Sequence, residues 1–190
     1  MRTPIQTKDD IRVIEELKAG NFKALEQLFE EYYPLLCRFG FRQHPNPPQV
    51  EELVADVFIA LWERRAQLVI HSSIKAYLFK AVRNQIAQSL RRQQPHFITT
   101  EELTQDLLAD SPTPEGHLLY KEFSQNVFQA IEALPASCQT IFKLHKLDQL
   151  TYREIAEIME VSMKTVENQM GMALKILSQQ VLKEGVVTDE

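Results

Sequence analysis

The chain has 190 residues, enough for one ordinary domain or two small ones. A hydrophobic fraction of 44% and a charged fraction of 25% are those of a folded globular protein, and a net charge of −5 argues against a generic nucleic-acid coat protein. Five glycines and nine prolines suit long helices joined by short, punctuated turns. No run approaches the roughly 20 apolar residues of a spanning helix, and no secretory leader is visible, so a cytoplasmic location is expected. Cys37 and Cys138 stand far apart with no CxxC or Cys/His cluster. Two buried free thiols are therefore expected, with no disulfide, no metal and no cofactor.

The first elements read as helices. Ile11, Ile14 and Leu17 recur at helical spacing, and Gly20-Asn21 looks like a stop followed by a new cap. Phe22, Leu25, Leu28, Phe29, Tyr32, Leu35 and Leu36 continue the period, with Pro34 expected to kink the helix or mark its late turn. His44-Pro45-Asn46-Pro47-Pro48 breaks the pattern. Leu53, Val54, Val57, Phe58, Leu61 and Trp62 then make a broad apolar stripe, with Glu51, Glu52, Asp56 and Glu63 opposite. After a loop at 69–73, Ile74, Tyr77, Leu78, Ala81, Val82, Ile86 and Leu90 predict a helix to about Arg92.

Residues 93–116, with Pro95, Pro112, Pro114 and Gly116, read as a linker holding one turn opened by Thr99 and Glu102. Helical pattern resumes with Leu118, Leu119, Phe123, Val127, Phe128, Ile131 and Leu134, and Pro135 ends it. Ser137 is expected to cap a helix containing Ile141, Phe142, Leu144 and Leu147. Thr151 and Glu154 form a capping box for a third helix whose inner face is Ile155, Ala156 and Ile158. A turn at Met159-Glu160-Val161, with Val161 plugging the angle, leads to a fourth helix. Ser162 caps it, and Val166, Met170, Ala173, Leu174 and Leu177 face inward. The expected fold is all-α: two small helical domains joined by a linker, at 8–92, 93–116 and 117–182, with a frayed tail over Val186–Glu190.

Charge is unevenly distributed. Residues 71–95 carry five basic residues and no acid, and residues 96–116 carry five acids and no base. Three segments could carry function, each with a plainer alternative. Thr151–Leu177 has helix-turn-helix spacing, which would place Ser162, Lys164, Thr165, Glu167 and Asn168, with Gln169 at the margin, at a major groove; the alternative is a helical hairpin with a solvated face. The basic residues of 74–92, interleaved with Tyr77 and Phe79, suit a single strand stacking on aromatics, or else a solvated basic face. The acidic and apolar helix 51–63 suits docking of a basic partner helix, or else ordinary core packing. His44, His71, His96, His117 and His145 are scattered, and HExxH, GxSxG and P-loop motifs do not occur, so no enzyme and no small-molecule substrate are expected.

Order and spacing together resemble the extracytoplasmic-function sigma factors, the minimal class of the sigma-70 family, over about residues 10–180. Phe29-Glu30-Glu31-Tyr32-Tyr33-Pro34-Leu35-Leu36 is similar to the opening helix of that family's second region. Val50 to Trp62 is similar to its clamp-binding helix. Ile74-Lys75-Ala76-Tyr77-Leu78-Phe79, then Ala81-Val82-Arg83-Asn84 and Arg91-Arg92, resembles the part that melts promoter DNA. Ala133-Leu134-Pro135, Leu150 to Ala156 and Lys164-Thr165-Val166-Glu167 resemble the fourth region.

The resemblance implies that Glu52, Asp56, Phe58, Leu61 and Trp62 meet core RNA polymerase, with Asp56 the exposed charge and the apolar three mostly packing or rim. It implies that His71, Ser72, Ser73, Lys75, Tyr77 and Asn84 take single-stranded minus-ten bases. Lys80, Arg83, Arg91 and Arg92 would hold phosphates, and Ser162, Lys164, Thr165, Glu167 and Asn168 would meet the minus-thirty-five duplex. Promoter DNA and an anti-sigma factor, often membrane-bound in the family, are the implied partners. Ala55 stands where Gln is common, Tyr77 where Trp is common, and Gln88 where Asp is usual. Gly171-Met172 stands where a polar residue and then Arg or Lys are usual, so weak DNA binding by the free chain is expected. The rival readings are a helix-turn-helix regulator binding duplex DNA as a dimer and a helical adaptor that binds only proteins.

Overall fold

The computed structural model describes residues 7–93 and 128–184, and every regular element among them is helical. The chain divides into two compact units, the first built on its N-terminal half and the second on its C-terminal half. The greater part of the expected 93–116 linker, the start of the helix predicted from Leu118, and the tail after Glu184 lie outside the described residues.

In the N-terminal unit, α1 spans Lys8–Lys18 and is opened by a capping box between Thr7 and Asp10. It stops where Gly20 takes a φ of +79°, the left-handed conformation that a side chain resists. Asn21 then caps α2 (Phe22–Phe41) by accepting the Lys23 N–H. Pro34 lies inside α2, which continues past it to Phe41. Pro34 and Glu30 are both exposed, so the Glu30 carbonyl that loses its partner faces water. Helix α3 (Pro47–Glu63) is capped by Asn46 and carries prolines in its first turn, where an N–H would have no helical partner. A 3-10 turn at Arg65–Gln67 leads to α4 (Ile74–Gln93).

The core of this unit is Leu17, Leu28, Leu36, Phe39, Val50, Val54, Val57, Phe58, Leu61, Leu78, Phe79, Val82 and Ile86. Gly40 lets α2, α3 and α4 meet: a Cβ there would collide with Val50 Cγ1 and stand 3.2 Å from Ile86 Cδ1. Phe22 and Phe29 depart from the expected inward pattern and are exposed. Each lies at the rim, edge-on to Trp62 and Phe58 of α3 respectively.

In the C-terminal unit, residues 128–132 are helical and are followed by α5 (Ala136–Lys146), α6 (Tyr152–Met159) and α7 (Met163–Glu184). Leu134, Cys138 and Ala173 form a buried cluster with Phe142, Ile176 and Leu177 against it. Ser137 does not cap α5: Pro135 occupies the cap position without a side-chain bond, and the Ser137 hydroxyl reaches Gln169 of α7 instead. Leu174 and Leu147, expected inside, are exposed. The stripe of α7 runs through Val166, Met170 and Ala173 toward Ile176 and Leu177. Cys37 and Cys138 are buried free thiols.

Candidate functional site

Helix α3 presents one face built from both charge and apolar surface. Glu52, Asp56, Ile59 and Glu63 recur at helical spacing, and all four are exposed. Ile59 is 55% exposed, an apolar side chain among acids that the stripe-based reading missed. Its position three residues after Asp56, on the polar side, was the available signal. Phe58 and Leu61, at 3% and 1% exposed, belong to the core and hold α3 in place, the packing side of the role expected for them. Trp62 is half-buried at the edge of that face. Phe22 contacts its ring edge-on at 5.4 Å, and the Arg65 guanidinium lies 4.2 Å from its centroid. Arg65 also donates to the Trp62 carbonyl at 2.7 Å, fixing the cation there. Behind α3, burial raises the Cys37 thiol above its ordinary range; the Tyr33 hydroxyl bond lowers it and Glu51 raises it.

The expected minus-ten residues divide into a cationic stripe and an anchored loop. Tyr77, Lys80, Asn84 and Arg91 recur on one side of α4 and are exposed or half-exposed. Arg83 and Arg92 flank this stripe, whereas Lys75 lies off it. The helix bears five cations and no acid. Phe79 is fully buried, edge-on to Phe39 at 5.1 Å, so of the two interleaved aromatics only Tyr77 offers a stacking face. In the preceding loop His71 is exposed, but Ser72 and Ser73 turn inward. Ser73 Oγ accepts the Ala76 N–H at 3.1 Å and caps α4. Its work in the structure is to shape the loop.

In the C-terminal unit the Thr151–Glu154 capping box forms as expected. Glu154 Oε2 accepts from Thr151 N–H and Oγ1 at 2.9 and 2.8 Å, and Thr151 Oγ1 accepts the Glu154 N–H. Ile155, Ala156 and Ile158 are buried. Glu160 takes a φ of +58°, and the Val161 N–H reaches back to the Ala156 carbonyl at 2.9 Å, closing the turn as a Schellman-type cap. Val161 is exposed and does not plug the angle.

Ser162 caps α7 by accepting the Thr165 N–H at 3.0 Å. Lys164, Glu167 and Asn168 are exposed on its first turns, Thr165 is half-buried, and Lys164 pairs with Glu167 at 3.3 Å. Gln169 faces inward: its Oε1 accepts from Ser137 Oγ at 3.0 Å and Cys138 Sγ at 2.8 Å, pinning α7 to the start of α5. The first turns of α7 thus offer donors and acceptors on a rigid rod, the arrangement that reads base edges in a major groove. Gly171 has no atom within 4 Å of where a Cβ would be, and Met172 is exposed.

Comparison with known proteins matches two family descriptions. Residues 28–96 match Sigma-70 region 2 and residues 124–177 match Sigma-70, region 4. The chain is 23% identical over 176 residues to the ECF RNA polymerase sigma factor SigW of Bacillus subtilis (strain 168), covering 88% of this chain and 94% of that protein. It is 26% identical over 180 residues to the ECF RNA polymerase sigma-E factor of Haemophilus influenzae, covering 90% and 95%. The sigma factor RpoE of Bartonella quintana, solved with the anti-sigma factor NepR, has a similar fold: TM-score 0.60 at 18% identity, over 88% of this chain and 99% of that one. CnrH, solved with the cytosolic domain of CnrY, gives a TM-score of 0.57 at 18% identity, over 90% and 96%.

Proposed function

The chain belongs to the extracytoplasmic-function branch of the sigma-70 family, and from that premise we propose how its two units divide the work of a sigma factor. The N-terminal unit, residues 8–92, docks on core RNA polymerase through the Glu52–Asp56–Ile59–Glu63 face of α3, with Trp62 at its edge. The same unit takes the melted minus-ten strand along α4. Tyr77 stacks a base, Asn84, Lys75 and the exposed His71 meet base edges, and Lys80, Arg83, Arg91 and Arg92 hold phosphates. The C-terminal unit, residues 117–182, reads the minus-thirty-five duplex with Ser162, Lys164, Thr165, Glu167 and Asn168. Residues 93–116 join the two. The protein works in the cytoplasm, needs no cofactor and catalyses nothing itself.

The observation that carries this reading is the charge pattern of α4. A chain of net charge −5 concentrates five cations and no acid on one helix, with an outward tyrosine in the stripe. A dimeric helix-turn-helix regulator gives neither that helix nor the face of α3 a task. The RpoE relative is bound by an anti-sigma factor, and we read this chain as subject to such a partner too.

The test is run-off transcription with purified core polymerase, this protein and a pool of genomic fragments from its source. Transcripts that require the protein and share paired upstream motifs are expected. Asp56→Arg, which reverses the charge at the centre of the α3 face without touching the core, is expected to abolish core binding and transcription while leaving thermal unfolding unchanged. Absence of both transcription and core binding by the wild-type chain would refute the proposal.

A further inference from the structure

We propose that Asp10 is a positioning residue for minus-ten recognition, acting through the loop and first turn of α4; this rests on the function proposed above. Asp10 is 9% exposed, and its carboxylate joins two elements 64 residues apart in sequence. Oδ2 accepts from Thr7 N–H and Thr7 Oγ1, both at 2.8 Å, which completes the cap of α1. Oδ1 turns away from α1 and accepts the Ile74 N–H, the first of α4, at 3.0 Å in a buried setting.

Asp10 and Ser73 both bring side-chain acceptors to the start of α4, on Ile74 and Ala76 respectively. Ser73 is supplied by α4's own approach, Asp10 by α1. An anion at this end also complements the helix dipole. The bond is made inside the segment 71–77, whose outward residues are His71, Lys75 and Tyr77. A cleft of about 270 Å³ is lined by Ile11, Ile14, Glu15 and Lys18 of α1 and by Val69, Ile70 and His71 of this loop. The Asp10–Ile74 bond is a polar tie from α1 to the point where the loop rejoins the helix. Capture of an unstacked base needs its contacting groups already in place. Loss of the tie frees the loop end while α3 and α7, which carry the other interfaces, keep their own caps.

The experiment uses reconstituted holoenzyme and a single-stranded oligonucleotide selected by the wild-type holoenzyme from a randomised pool, compared with its scrambled counterpart. The readout is the ratio of the two affinities, which a smaller active fraction does not move. Asp10→Ala is expected to lower that ratio by about tenfold, the scale of one buried charge-assisted hydrogen bond. Asp10→Asn retains an acceptor toward Ile74 and should recover most of the ratio. Thr7→Ala cuts the α1 cap but leaves the Ile74 bond, and should leave the ratio at the wild-type value. Core binding should be unchanged in all three. An unchanged ratio in Asp10→Ala overturns the inference alone, and so does an equal fall in Thr7→Ala, because the effect would then be stability of α1. A wild-type holoenzyme that selects no sequence overturns the function proposed above and this inference with it.

Discussion

Gly171 lies in the interior of α7, where backbone freedom is a disadvantage and no close approach requires a missing side chain. A Cβ there would meet nothing within 4 Å, so Gly171→Ala should gain the whole helix-propensity difference, about 1 kcal/mol. For a unit of this size that raises the melting temperature of the C-terminal transition by roughly 4–8 °C. By helical spacing Gly171 shares an exposed face with Lys164, Asn168 and Lys175. Gly171→Arg therefore extends the row that the proposed function sets against the duplex. If it reaches a phosphate, the slope of log affinity against log salt for holoenzyme on minus-thirty-five duplex should steepen by about 0.9. Calorimetry on the full chain reads the first effect, and a salt series of holoenzyme binding reads the second. Gly40 is the contrasting position: Gly40→Ala collides with Val50 and should destabilise the N-terminal unit by about 1–3 kcal/mol. A Gly171→Ala chain that melts no higher would refute the claim of an open position. An unchanged salt slope in Gly171→Arg, with binding intact, would refute the claim that this face meets the phosphate backbone.

The two aromatics of α4 should separate cleanly on substitution. Tyr77→Ala is expected to leave the melting curve in place and to reduce promoter opening, seen as loss of permanganate reactivity in the melted strand. Phe79→Ala empties a fully buried site and should cost about 3–5 kcal/mol of stability, read by urea denaturation. Alkaline pH should weaken the N-terminal unit. Burial raises both the Cys37 thiol and the Tyr33 phenol above their ordinary values, so the folded chain keeps protons that the unfolded chain releases. Stability is therefore full below the ordinary thiol range and falls as pH climbs through the raised values, so the urea midpoint should drop as pH rises above about 8.

Local signals determined much of this protein. Gly20-Asn21, Thr151 with Glu154, and Ser162 set helix ends through bonds that span a few residues, so the sequence alone places them. The cationic run of α4 and the helix-turn-helix spacing were legible for the same reason. Tertiary structure decided what lies between. Tyr77 and Phe79 are equally plausible as inward residues by composition, and the position of Phe39 on α2 settles which one is buried. Leu174 and Ile176 are both apolar, and only the packing of α7 against the Leu134–Cys138 cluster turns the first outward and the second toward the core. Gln169 looks like a base-reading residue until α5 brings Ser137 and Cys138 to it. The link from Asp10 to Ile74 has no sequence signature, because a 3.6-residue period records one helix's own faces and carries no information about which distant backbone group will be brought to a carboxylate.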